Sequence, residues 1–197
     1  MFADIESLEA QADAVDQDAR SLVDEVDEPA ARWMPAPGSW SIAQCVDHLA
    51  VTNQVYLDAM QQAAERARSK GRLRRGPAMP GWFGGWFLSS VEPPVKPGRK
   101  FKATRNIQPR PSPPLPEAYA AFVLSQQRVR QFIQEHADLN LAGVRFANPI
   151  IRGLRFSLAS GLHIILAHER RHLWQARQVL EAYSAAKGVG SPAAASS

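Results

Sequence analysis

Three histidines stand where they can do chemistry together: His48, His168 and His172. The last two belong to the run His168-Glu169-Arg170-Arg171-His172. Residues four apart lie one above the other on an α-helix, so this pair can hold one divalent metal between its rings. A third imidazole from a different helix would complete a site with an open coordination position. Metals use that arrangement for chemistry rather than for structure. On spacing alone, the competing reading is a pair of partly buried, hydrogen-bonded core histidines.

A helical projection favours the first reading. With His168 set at zero, Leu158, Leu162, Ile165, Leu166, Leu173, Ala176 and Leu180 fall between about 60° and 160°, and His172 falls at about 40°. His48 likewise flanks an apolar arc formed by Cys45, Leu49, Tyr56, Met60 and Ala63. All three rings sit at the core's edge where two helices meet, which is where bundles build metal sites. His163 projects elsewhere, and His136 lies at a helix end, where a capping role suits it.

Glu169 projects into the middle of the apolar arc, and a buried carboxylate must be paired or protonated. It is expected to bond another helix. Its functional alternatives are to hold a ligand histidine's free N–H or to act as general base, which makes it the candidate catalytic residue. The run also matches H-E-x-x-H, the zinc-protease signature. The third metzincin histidine would fall at Gln178, however, and the preceding glycine at Gln175. Glu181, the only downstream glutamate, is on the same helix and cannot fold back onto the metal.

Four amphipathic segments must position these groups. Ile5, Leu8, Ala12, Val15, Leu22 and Val26 predict a helix over residues 3–29. Ser41-Ile42-Ala43-Gln44 has the form of a capping box and opens a second helix that runs to about Ser69. A third runs from about Pro116 to His136, and a fourth from about Ser157 to Ala186, stopping at Lys187-Gly188. A loop with Gly143, Pro149 and Gly153 joins the last two, and no strand pattern is evident. Between the second and third lies a loop over about 70–115, with one short helix expected at Trp82–Val91. Ten of the fifteen prolines fall in residues 77–116. The loop's aromatics (Trp82, Phe83, Trp86, Phe87 and Phe101) require part of it to pack on the body. The expected architecture is all-α: one four-helix bundle domain over residues 1–187, with a long crossover and a disordered tail over 188–197.

The chain of 197 residues suits one domain. No apolar run is long enough to cross a bilayer. The N-terminal MFADIESLEA is acidic and lacks the order of a signal peptide. The single cysteine, Cys45, cannot form an intramolecular disulfide. These features imply a cytoplasmic protein without a membrane partner. Charge is unevenly spread. Residues 1–30 hold ten acidic side chains and one basic, and residues 66–110 hold twelve basic and one acidic. A solvated loop, or contact between the basic segment and the acidic helix of the same fold, accounts for this more simply than an anionic partner.

The segment Trp40-Ser41-Ile42-Ala43-Gln44-Cys45-Val46-Asp47-His48-Leu49, followed by His168-Glu169-Arg170-Arg171-His172-Leu173-Trp174-Gln175, resembles the DinB-like superfamily. That group includes bacillithiol- and mycothiol-dependent transferases and the mycothiol-dependent maleylpyruvate isomerase. The resemblance implies an up-down-down-up four-helix bundle, often dimeric. It also implies a divalent metal, often nickel or zinc, on three histidines, which here are His48, His168 and His172. The long proline-rich loop departs from the simplest members and can alter the pocket mouth.

Three functions follow as expectations. The first is a metal-dependent transferase that activates a low-molecular-weight thiol against a second small-molecule substrate, with Arg170 or loop arginines binding a carboxylated thiol. The second is a hydrolase on the same ligands, using metal-activated water. The third is a non-catalytic bundle whose basic loop meets an anionic partner. Nucleic acid is not the expected partner, because the loop's aromatics and arginines are separated in sequence.

Overall fold

The computed structural model describes residues 2–94 and 103–188. Phe101 and most of the expected tail lie outside these residues. In chain order the helices are α1 (Ala3–Glu25), α2 (Glu28–Arg32), α3 (Ile42–Ser69), α4 (Trp82–Val91), α5 (Leu115–Glu135) and α6 (Leu158–Ala186). The helix expected over 3–29 is therefore two. The Asp27 carboxylate caps α2 by accepting from the Ala30 N–H at 2.9 Å. Pro29 sits in the first turn of α2, where its missing N–H is harmless.

The capping box forms as expected. The Gln44 N–H donates to Ser41 Oγ at 3.2 Å, and the Ser41 N–H donates to Gln44 Oε1 at 3.0 Å. Ser157 caps α6, and Gly188 ends it with φ of 70°.

α1 and α3 each pack against both α5 and α6. Paired side chains give the directions. Glu9 meets Gln134 and Asp13 meets Arg130, so α1 and α5 are antiparallel. Asp58 meets Arg128 and Arg68 meets Asp138, so α3 and α5 are parallel. His48 meets His168 and Met60 lies against Gly161, so α3 and α6 are antiparallel. Gln11 meets Arg170 and Asp18 meets Arg177, so α1 and α6 are parallel. The bundle is up-down-down-up. The acidic α1 finds its cations within the fold: Arg74 from the crossover, Arg130 from α5 and Arg177 from α6.

One element was not expected. Strands β1 (Arg145–Ala147) and β2 (Arg155–Ser157) pair antiparallel, with buried Phe146 opposite buried Phe156. Three residues each are too few for a period of two to show in the sequence. The turn between them is built on Asn148, whose Oδ1 accepts from the N–H groups of Ile150 and Ile151 at 2.8 and 2.6 Å.

The core has two apolar clusters. Leu8, Met60, Phe132 and Leu162 belong to one, and Leu22, Leu49, Phe122 and Leu173 to the other. Between them lies a buried polar layer: His48, Asn53, Ser125, Gln126, Glu169 and His172. α3 and α6 approach closely beside it because Gly161 has no side chain. A Cβ there would lie 2.8 Å from Met60 Sδ and 2.9 Å from a Phe146 ring carbon. Gly161→Leu is expected to destabilise the fold by about 1–3 kcal/mol, read from the urea midpoint, by forcing these helices apart.

Candidate metal centre

His48 sits on the second turn of α3, set there by the capping box. His168 and His172 sit mid-way along α6, one turn apart. The antiparallel crossing brings all three together, with one ring nitrogen from each within 4.8 Å of the others. The closest pair, His48 Nε2 and His168 Nε2, is 3.2 Å apart. Metal–nitrogen bonds of 2.0–2.1 Å in a tetrahedral site place neighbouring nitrogens about 3.3 Å apart. The Trp40 indole lies over His48 and His172, at 4.6 and 5.7 Å between ring centres.

The donor chemistry also suits a cation. His48 Nδ1 lies 2.5 Å from the Ile107 carbonyl oxygen, so Nδ1–H donates and Nε2 keeps its lone pair. Nδ1 of His168 and Nδ1 of His172 are buried and have no hydrogen-bond partner among the described residues. Burial holds all three rings neutral. It lowers the His48 pKa to about 4 against the opposing pull of the Ile107 carbonyl. It lowers His168 and His172 well below the ordinary range, and the neighbouring imidazoles push the same way.

The Ile107 carbonyl is fixed by a brace. The buried carboxylate of Asp47 accepts from the Arg110 backbone N–H at 2.8 Å and from Arg110 Nε at 2.9 Å. Gln44 Nε2 donates to the Pro111 carbonyl at 3.0 Å. The segment 104–111 is thereby strapped along α3.

Glu169 is fully buried, and its carboxylate turns to α3 and α5. Oε1 accepts from Asn53 Nδ2 at 2.6 Å, and Oε2 lies 3.5 Å from Gln126 Nε2. Burial raises its pKa to about 8. It lines no part of the cavity above the histidines, so the geometry gives it an inter-helix bond and no substrate to act on as a base. Arg170, one of the cations expected to bind a thiol, instead pairs with Glu92 and reaches Gln11; its neighbour Arg171 lines the cavity. His163 is half-buried beside the Ala78 carbonyl, away from the trio. His136 is the C-cap residue of α5, with Nδ1 3.0 Å from the Phe132 carbonyl.

A cavity of about 1090 Å³ opens over the three histidines. α3 and the strap form one side, and α6 with Phe87, Ser90 and Val91 of α4 forms the other. Exposed Ile151 and Arg152 of the hairpin turn reach its rim. Sequence reasoning missed Asn53, Asp47, Arg110 and the Ile107 carbonyl. Asn53 carried a faint signal, since it projects about 140° from His48, just past the edge of the apolar arc. The Ile107 carbonyl carried none.

A family model of the DinB superfamily matches residues 11–176. The chain belongs to the DinB superfamily. The match begins within α1 and takes in all three histidines. No curated protein and no solved structure matches the chain. Among the described residues, no helix is long and apolar enough to cross a membrane.

The buried rings set a pH dependence. The unfolded chain takes up protons at the ordinary histidine pKa near 6.5, whereas folded His48 does so only near 4. Between those values the unfolded state binds more protons, so stability falls as pH falls. Chelator-treated protein is expected to lose up to about 1.4 kcal/mol per pH unit for each imidazole held neutral. Urea midpoints at pH 7 and 4.5 measure this, and His48→Gln should flatten the dependence.

Proposed function

We propose that the protein is a metal-dependent transferase that joins a low-molecular-weight thiol to an electrophilic carbon. The observation that carries this reading is the convergence of three neutral imidazoles, two buried and one partly buried, beneath a cavity that reaches solvent. His48, His168 and His172 would hold the metal; imidazole donors suit zinc, nickel, iron and copper alike, and the family resemblance favours nickel or zinc among them. When bound, the metal supplies Lewis acidity that lowers the pKa of a thiol, which at about 8.5 is mostly protonated at neutral pH.

The chain's own residues do the rest. Ile107 holds His48 in one tautomer, and Trp40 keeps water from one flank of the rings. Arg171, Gln44 and Gln175 line the cavity and can orient a hydrophilic, carboxylated thiol. The sulfur forms a bond to the electrophilic carbon as that carbon's leaving group departs with its electron pair, and the thiol proton passes to solvent. In an epoxide the ring C–O bond opens instead, and its oxygen takes up a proton.

The purified protein is expected to carry about one nickel or zinc per chain by elemental analysis. It should turn over 1-chloro-2,4-dinitrobenzene only when a thiol is added. Metal content undiminished in the His168→Ala/His172→Ala double variant refutes the centre. Hydrolysis of an ester substrate with no thiol present transfers the reading to metal-dependent hydrolysis. Arg110→Ala, which frees the strap, should weaken metal binding about 10–100-fold in a competition titration while the helical circular dichroism is retained.

A further inference from the structure

The cavity has two chemically different ends. Because α3 and α6 run antiparallel, position along them orders the lining. Gln44 of α3 faces the stretch of α6 bearing Trp174 and Gln175, the histidines come next, and Tyr56 then faces Ile164 and Ile165. The strap runs the same axis: Asn106 Nδ2 reaches the Pro149 carbonyl at one end, Ile107 meets His48, and Pro111 meets Gln44 at the other.

The Tyr56 end is apolar by construction. Asn148 Nδ2 donates to the Tyr56 hydroxyl at 2.7 Å, and Asn148 Oδ1 is occupied by the turn's own N–H groups. This pair clamps the hairpin turn beside Tyr56 and presents Ile150 and Ile151 to the cavity. Phe87 of α4 reaches the same end, its ring centre 5.0 Å from that of Phe156 at the foot of α6. Ser90, which also lines the cavity, donates its hydroxyl to the Phe87 carbonyl at 2.6 Å. Ile151 remains 38% exposed, an apolar side chain at the rim of the cavity.

We propose that this end is the subsite for the electrophilic substrate, and that this substrate is an apolar aromatic or branched-alkyl compound. The hydrophilic thiol takes the opposite end, beside Gln44, Arg171 and Gln175, so the two meet over the histidines. The assignment rests on the transferase reading of the centre. It makes Ile151 and Phe87 specificity determinants that touch one substrate and not the other.

Equilibrium dialysis of 1-naphthylmethanol against the full chain tests it. The probe is neutral and unreactive, so exposed Arg152 adds no charge attraction and no turnover intervenes. Wild-type protein should bind it saturably, with or without metal. Ile151→Asp and Phe87→Ala should each weaken binding about tenfold or more, the scale of one lost apolar contact group. Gln175→Ala should change it less than twofold. Ile151 lies on an exposed turn, and Phe87→Ala guards against a misfolded first variant; circular dichroism checks both. The subsite is overturned by absence of saturable binding to wild type, by full binding in both folded apolar-end variants, or by an equal loss in Gln175→Ala. Failure of the transferase reading shows separately, as missing metal in the same wild-type preparation.

Discussion

A layer of polar side chains cuts through the core of this bundle, and burying it is a cost that the rest of the fold must offset. An amide or hydroxyl taken out of water without a partner costs about 2–7 kcal/mol on transfer scales, and a lone charge costs far more. Here the layer spans three of the four long helices, with His48 and Asn53 from α3, Gln126 from α5, and Glu169 and His172 from α6. Asn53 ties it together by donating to Ser125 Oγ and to Glu169 at once. Even so, Asn53 Oδ1, Gln126 Oε1 and the two α6 imidazoles' Nδ1 atoms stay unpartnered among the described residues. Apolar clusters on both sides carry the stability that this layer does not. Such a half-satisfied network is a poor structural device on its own and a good preformed receptor for something that completes it.

Charge decides what that receptor accepts. A carboxylate anion beside the trio would hold protons on the imidazoles and close their lone pairs to any cation. Burial instead raises the Glu169 pKa to about 8, so at neutral pH the carboxyl is mostly protonated and adds little negative charge. The one full anion on this stretch of α3, Asp47, is matched by Arg110. Desolvation is thus the largest influence on the three rings, with Asp47 pulling His48 upward and Arg171 pushing His168 and His172 further down.

Much of this was legible beforehand because helices announce themselves by period. The capping box placed the start of α3 to the residue, and the four-residue spacing placed His168 and His172 on one face. Gln126 stood in an apolar stripe otherwise made of Tyr119, Phe122, Val129 and Ile133, a visible sign of a polar residue in the core. Long-range partners left no such mark. Nothing in the order of residues says that Arg170 turns to Glu92 while Arg171 faces the cavity, because one helical step of about 100° separates the two fates. The helix expected over 3–29 runs across the break at Val26–Asp27, because apolar spacing does not reveal that Asp27 caps a new helix. The hairpin was missed because Arg-Phe-Ala and Arg-Phe-Ser are too short to alternate visibly.

The proline-rich crossover shows why the centre and its pocket were unequally readable. The histidines belong to the bundle, whose rules are periodic. The walls over them come largely from residues outside the long helices, where composition replaces period. Proline lacks an N–H and fixes its own φ, so a run such as Pro109–Pro114 loses little entropy on docking and offers mainly carbonyls. Donors on α3 are what such a chain can satisfy. His48 Nδ1–H reaches the Ile107 carbonyl, and the Gln44 amide reaches the Pro111 carbonyl. The same strap thus shapes the cavity and fixes the ring below it, so a change of wall in this region would be felt at the centre. Specificity written into an insertion is in this way coupled to chemistry written into the bundle.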